Sequence, residues 1–147
     1  MDRTESHHPA RGLIVVLRLL TLLPFATGAG DLLAGTTLLQ QAGASLPDVA
    51  ARDATLNNQI AFWGTMWLGY GVLLWWATRD LAGRAPVARF LIAALFVSGL
   101  ARAYSSVRYG LPAMPLVAAM VLELFLSPIL YWWLSRTFPQ RSVPVQG

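Results

Sequence analysis

Four apolar stretches, each about 20 residues long, constrain the fold of this 147-residue chain more than any other feature. They run from Gly12 to Ala34, from Gln59 to Thr78, from Val87 to Val107 and from Pro112 to Leu134. An α-helix needs about 20 apolar residues to cross the hydrocarbon core of a bilayer. With 56% hydrophobic and only 12% charged residues, the chain is too apolar for an ordinary soluble domain. The sequence therefore predicts an all-α protein, a four-helix transmembrane bundle that forms one domain.

The segments outside these stretches complete the predicted organisation. Residues 1–11 form an N-terminal arm and residues 135–147 a C-terminal tail, whereas residues 35–58 form one sizeable loop with a short interfacial helix. The first stretch could instead be a signal peptide, because a basic start precedes an apolar run and small residues. Arg18 interrupts that run and favours an uncleaved helix. Pro24, within the same stretch, predicts a kink.

The distribution of arginine predicts the orientation in the membrane, because basic residues accumulate in cytoplasmic segments. They concentrate in the N-terminal arm, the second connection and the tail: Arg3, Arg11, Arg18, Arg79, Arg84, Arg89, Arg136 and Arg141. The same helix ends carry an aromatic belt of Trp75, Trp76, Tyr131, Trp132 and Trp133. Using arginine alone for positive charge is typical of GC-rich bacterial genomes. We therefore expect a multi-pass protein of the bacterial inner membrane with both termini in the cytoplasm.

The composition argues against several classes of function. Without cysteine the chain forms no disulfide, thiol nucleophile or thiolate metal site. The arginines lie singly at the ends of apolar stretches, so the net charge of +4 indicates membrane orientation and not a nucleic-acid partner. His7 and His8 are adjacent in the polar arm, which makes a metal site improbable. No nucleophile elbow or phosphate loop is found, and we expect no cofactor.

Three charged residues lie inside the apolar stretches rather than at their expected cytoplasmic ends: Asp31, Arg102 and Glu123. A charge at such depth costs several kcal/mol unless it is paired. Arg102 precedes Gly110 by eight residues and Glu123 follows it by thirteen. At about 1.5 Å of rise per residue, their depths differ by only about 7 Å. The short connection around Gly110 makes the last two helices antiparallel neighbours. We predict an ion pair between Arg102 and Glu123, with Asp31 within reach.

Further polar and aromatic side chains are expected in the same half of the bundle. Asn57, Asn58 and Gln59 open the second stretch, and Trp63 and Trp67 follow. Small and polar residues share one face of each of the last two helices at spacings of three and four: Ser98, Gly99, Arg102, Ser105, Ser106 and Tyr109, then Met120, Glu123, Ser127 and Tyr131. The residues predicted to bind a ligand are Arg102, Asn58, Gln59, Trp63, Trp67 and Tyr104.

Four short motifs occur in order along the chain: NQIAFWG at 58–64, WLG at 67–69, SGLAR at 98–102 and LEL at 122–124, shortly before Pro128. Together they resemble domain-of-unknown-function family 4345, a bacterial family of small four-span membrane proteins. The resemblance implies a fold similar to that of DoxX-like proteins and no settled activity. Through that fold the chain is distantly similar to emopamil-binding-type sterol isomerases and to membrane-bound cyclases of isoprenoid tails. No motif of either group matches residue by residue.

Two functional hypotheses stay open. In the first, the protein is a membrane-bound isomerase or terpenoid cyclase of an isoprenoid-type substrate, with Glu123 as proton donor and Asp31 as second acid or base. Arg102 argues partly against this, because a tightly paired Glu123 has no proton to donate. In the second, the protein is a noncatalytic ligand-binding or accessory subunit whose ion pair is structural. Its expected partners are the bilayer and a lipophilic small molecule, and a homo-oligomer or membrane partner fits both hypotheses.

Overall fold

The structure is a computed structural model and describes residues 7–139, which form helices joined by short connections. In chain order the helices are α1 (His7–Leu20), α2 (Leu22–Ala34), α3 (Thr36–Gln41), α4 (Asp48–Ala51), α5 (Ala54–Thr78), α6 (Ala85–Tyr109) and α7 (Met114–Thr137). Together α1 and α2 make the first candidate span, Ala10–Ala34, and α5, α6 and α7 are the other three. All four are long and apolar enough to cross a membrane. The predicted fold class is confirmed.

The first span is interrupted at Thr21, three residues before Pro24. Because proline has no backbone N–H, Pro24 cannot donate to the carbonyl of Leu20, one turn earlier. The Thr21 hydroxyl instead donates to the carbonyl of Arg18 at 2.6 Å. The helix is therefore irregular in the turn that precedes Pro24, within the stretch where the sequence predicts a kink.

The second span begins earlier than the apolar pattern indicates. Helix α5 starts at Ala54, five residues before Gln59, because Asp53 caps it. The Asp53 carboxylate accepts a hydrogen bond from the backbone N–H of Leu56 at 2.7 Å. The loop between the first two spans contains the short helices α3 and α4, so the predicted short helix is confirmed.

The helices pair as two hairpins. In the first hairpin α2 packs mainly on α5, and in the second α6 packs mainly on α7. Contacts between the hairpins are fewer and run from α5 to α6 and from α1 to α7. The side chain of Tyr70 on α5 bridges them by donating its hydroxyl to the carbonyl of Leu91 on α6 at 3.1 Å.

The apolar core lies at one end of the bundle, which we call the arginine-rich end. It is formed by the second half of α1, the end of α5, the start of α6 and the end of α7. It consists of Leu13, Leu17, Leu74, Ala77, Leu81, Ala88, Leu91, Ile92, Leu130 and Leu134. At this end the guanidinium groups of Arg18, Arg84 and Arg136 lie over the rings of Trp75, Trp76 and Trp132, at 5.4, 3.8 and 5.3 Å. These contacts combine the basic and aromatic groups that favour a membrane interface.

The opposite half of the bundle is built differently. We call it the open half; it consists of residues 25–34, 54–66, 97–109 and 114–126. No apolar side chain in these four segments is buried. Its buried residues are Gly28, Gly64, Gly99 and Glu123. Buried apolar side chains therefore hold the two hairpins together only at the arginine-rich end. Asp31, Arg102 and Glu123 lie in the open half, where such packing is absent.

Candidate intramembrane polar site

The ion pair predicted between α6 and α7 is confirmed. Nε of Arg102 lies 3.1 Å from Oε2 of Glu123. The N–H is not directed at this oxygen, so the contact is an electrostatic one without a directed hydrogen bond. The Glu123 side chain is only 7% exposed, whereas that of Arg102 is 40% exposed. Arg102 is thus the partner that a molecule outside the bundle can reach.

Each intramembrane carboxyl residue packs against a glycine of the neighbouring helix. A Cβ atom on Gly99 would lie 2.9 Å from Cβ of Glu123, and one on Gly64 would lie 2.8 Å from Cβ of Asp31. Both distances are too short for non-bonded carbon atoms. The two glycines therefore allow α7 to approach α6 and α2 to approach α5 closely, as small residues do between membrane helices.

Asp31 lies on the first hairpin, and its side chain is partly exposed. Arg102 is close enough for its charge to act on both Asp31 and Glu123, although only Glu123 is within ion-pair distance. Ser98 lies beside the Glu123 carboxylate. Across residues 7–139 no group of three His, Asp or Glu side chains is arranged to hold a metal ion. The site therefore consists of the Arg102–Glu123 ion pair of the second hairpin, with the carboxyl of Asp31 on the first hairpin within electrostatic range of its guanidinium.

An open depression of about 210 Å³ adjoins the exposed part of Arg102. Its walls come from the end of α6 and the start of α7: Arg102, Ser105, Ser106, Gly110, Pro112 and Leu116. The Ser106 hydroxyl donates to the carbonyl of Arg102 at 2.9 Å and lies 3.7 Å from Sδ of Met120. Arg102, Ser105 and Ser106, three members of the polar face predicted for α6, thus form one side of this depression.

Two stacked aromatic residues of α5 lie between the open half and the apolar core. Trp67 donates its Nε1–H to the hydroxyl of Thr27 at 2.8 Å, and its ring stacks on that of Tyr70 at 4.8 Å. Tyr70 is also within electrostatic range of the Glu123 carboxylate. Sequence reasoning predicted Trp67 but missed Tyr70. The spacing of three residues, which places both on one helix face, is the signal that identifies it.

The asparagine that makes specific contacts at the start of α5 is Asn57 and not its neighbour Asn58. Its Oδ1 accepts from the backbone N–H of Thr36 at 3.1 Å, and its Nδ2 donates to the carbonyl of Ala51 at 3.0 Å. Asn57 therefore links the loop to the start of α5 by hydrogen bonds. Asn58 and Gln59 are exposed, and their contact with a ligand stays a prediction.

Two predicted aromatic ligand contacts, Trp63 and Tyr104, have exposed rings. Trp63 is 60% exposed and packs edge-on against Phe62 at 5.4 Å. Tyr104 is 65% exposed, and its hydroxyl lies 3.5 Å from Nη1 of Arg108. Trp63 precedes Trp67 by four residues and therefore shares its helix face; a contact of Trp63 or Tyr104 with a ligand stays a prediction. Of the predicted ligand-binding residues, the structure places Arg102 in the site and Trp67 next to it.

Comparison with known proteins supports the resemblance carried by the four short motifs. A family model described as "Domain of unknown function (DUF4345)" matches residues 13–134. No curated protein and no solved structure matches the chain. The likeness to sterol isomerases and isoprenoid cyclases therefore stays an analogy at the level of the fold. Since the match covers all four spans almost completely, the chain belongs to this family of unknown function.

Proposed function

We propose that this integral membrane protein binds a lipophilic small molecule from the bilayer and holds its polar group at Arg102, between Asp31 and Glu123. The observation that carries the proposal is the position of the ion pair in the open half, where no apolar side chain is buried. A pair that served only to fix helix register would be expected within a sealed core. Here Arg102 is 40% exposed and lines a depression open to the surroundings.

The chemistry of the site favours a ligand with an oxygen-bearing polar group. A guanidinium has five N–H donors, and Glu123 approaches Arg102 at Nε. The remaining donors and the hydroxyl of Ser105 suit the oxygen of a carbonyl, hydroxyl or acid group. Deeper in the bundle, the Ser127 hydroxyl is buried and has no hydrogen-bond partner within residues 7–139. An isoprenoid-type molecule can place its polar end here and its tail in the lipid.

The same proposal includes the location of the protein in the cell. We assign it to the bacterial inner membrane as a multi-pass protein with both termini in the cytoplasm. The arginine-rich end carries most of the basic residues and the Arg–Trp contacts, and such segments are retained on the cytoplasmic side. The ligand site would then lie in the outer half of the membrane.

We expect the wild-type protein to retain a lipophilic compound that a charge-free site loses. The variant Arg102→Met/Glu123→Met removes both charges but leaves apolar groups of similar length. Protein purified in mild detergent from bacterial membranes is extracted with organic solvent and analysed by liquid chromatography and mass spectrometry. The double variant should retain at least about tenfold less of the compound, corresponding to about 1.4 kcal/mol of lost affinity. Arg108→Met, on the same helix but outside the depression, should retain the wild-type amount. Equal retention by the double variant would contradict the proposal.

A second candidate function is isomerisation or cyclisation of this ligand by acid–base catalysis. Two carboxyls in different surroundings favour it, since Glu123 is buried and paired, whereas Asp31 is partly exposed and has no ion-pair partner within residues 7–139. Because Glu123 is paired with Arg102, the proton donor in this arrangement would be Asp31 and not Glu123 as the sequence analysis expected. Asp31 would protonate a carbon–carbon double bond, and Glu123 would remove a proton from the neighbouring carbon. One proton enters and one leaves, so the product has the mass of the substrate. The stacked rings of Trp67 and Tyr70 are the aromatic groups that would stabilise an intermediate cation.

In D₂O this reaction should place one deuterium in each product molecule. The compound recovered from wild-type protein is incubated with fresh protein, and the isomer formed is measured by its retention time and mass. Asp31→Asn should lower the rate by about 10²-fold or more, the usual contribution of a general acid. Asp48→Asn, in the loop helix α4, should leave the rate unchanged. An unchanged compound in the wild-type sample would favour the noncatalytic alternative, a ligand-binding or accessory subunit.

A further inference from the structure

Arg89, in the first turns of α6, is a buried arginine at the arginine-rich end of the bundle. Only 5% of its surface is exposed. Its Nη2 donates to the backbone carbonyl of Phe138 at the end of α7. Its Nε has no hydrogen-bond partner among the described residues, and none of their carboxylates lies within ion-pair distance. The guanidinium is therefore a buried cation without a counter-ion in residues 7–139.

This arrangement is expensive unless an anion completes it. Burying an unpaired charge is costly, and one carbonyl oxygen satisfies only one of five N–H donors. The N-terminus of α6 adds partial positive charge because its first N–H groups have no partner within the helix. The nearby Asp80 does not compensate, since its carboxylate accepts from the backbone N–H of Gly83 at 3.1 Å and forms no ion pair with Arg89.

Arg89 lines a second depression, which we call the Arg89 depression. It measures about 690 Å³ and lies between the start of α6 and the end of α7, lined by Ala82, Gly83, Ala85, Pro86, Arg89, Thr137, Phe138 and Pro139. The neighbouring Arg84 covers the ring of Trp76 at 3.8 Å, a contact suited to the level of the lipid headgroups. This depression is at the opposite end of the bundle from Arg102, so it is independent of the proposed ligand site.

We propose that the Arg89 depression binds the headgroup of an anionic phospholipid. Phosphate oxygens match the planar fork of a guanidinium and are also favoured at a helix N-terminus. The depth of the depression, beside the Arg–Trp contacts, is that of lipid phosphates rather than of acyl chains. An anionic headgroup also supplies the net negative charge that a buried Arg89 lacks.

Thermal unfolding in detergent with added lipid tests this proposal. Phosphatidylglycerol at saturating concentration should raise the Tm of the wild type by about 5 °C or more. Phosphatidylcholine with the same acyl chains should raise it much less, and inorganic phosphate at millimolar concentration should have no effect. Arg89→Gln should lose most of the gain. Arg136→Gln makes the same charge change at the same end without lining the depression, and it should keep the gain.

Three outcomes would overturn the assignment. An equal gain in Arg89→Gln would show that lipid acts elsewhere, and an equal gain from phosphatidylcholine would exclude a preference for anionic lipid. A gain from inorganic phosphate as large as that from lipid would identify a free anion and not a headgroup as the ligand. If Arg89→Gln does not fold, Arg89→Lys keeps the charge but not the fork, and it should show a smaller gain than the wild type. A full gain in Arg89→Lys would then contradict phosphate recognition by the guanidinium.

Discussion

Replacing Arg102 with methionine should lower the free energy of unfolding by about 3 kcal/mol, because it leaves a buried carboxyl without its partner. The Glu123 side chain is 7% exposed and is held against Gly99, so it cannot turn towards water. Unfolding can be followed in mixed micelles as the denaturing detergent is increased. The variant should unfold at a clearly lower fraction of that detergent than the wild type.

Replacing Glu123 alone, or both members of the pair, tests whether the loss in Arg102→Met comes from an unpaired Glu123. Glu123→Met should cost only about 1 kcal/mol, because the 40% exposed Arg102 can extend its charged end to the surface and still has Asp31 nearby. Arg102→Met/Glu123→Met should lie within about 1 kcal/mol of the wild type, since no buried charge is left. Arg108→Met, on the exposed end of the same helix, should change stability by less than about 0.5 kcal/mol. Equal losses for the single and double variants would mean that the two charges do not act as a simple pair.

The depth of a residue in this bundle could be predicted from the sequence. Arg102 and Glu123 flank a connection too short to allow any arrangement but an antiparallel hairpin, so counting residues from Gly110 was enough to pair them. Four spans followed equally directly from the length of the apolar stretches. Both predictions depend only on the fixed rise of a helix and the fixed thickness of a bilayer.

The direction in which a side chain points could not be predicted in the same way. A helix that is apolar on all sides gives no sign of which face meets its neighbours. Adjacent positions on α5 therefore differ: Asn57 bonds to the loop, while Asn58 and Gln59 are exposed.

Arg89 illustrates a second limit of sequence reasoning. Along the chain it looks like another basic residue beside a span, and it was counted towards membrane orientation. Its burial depends on contact with Phe138, which lies 49 residues further along the chain. Only the packing of α7 against the start of α6 reveals that this arginine lacks a carboxylate within residues 7–139. A local pattern contains no information about such a contact.

Replacing Gly64 with alanine should lower the free energy of unfolding by about 2 kcal/mol through overpacking. The added Cβ would lie 2.8 Å from Cβ of Asp31, 2.8 Å from the carbonyl oxygen of Gly28 and 2.9 Å from the backbone nitrogen of Leu32. Two of these atoms belong to the backbone, so no side-chain rotation relieves the contact. The helices α2 and α5 must move apart, and the same unfolding measurement in mixed micelles should detect the loss.

Gly69→Ala is the matched control for this prediction, because it adds the same methyl group to the same helix with nothing within 4 Å of it. It should be neutral or stabilise the protein by up to about 1 kcal/mol, since alanine favours the helix more than glycine does. The separation of α2 from α5 in Gly64→Ala also moves Asp31 relative to Arg102 on the other hairpin. Retention of the lipophilic compound should therefore fall in Gly64→Ala and not in Gly69→Ala. If the two variants unfold alike and retain equal amounts, close approach at Gly64 does not position the site.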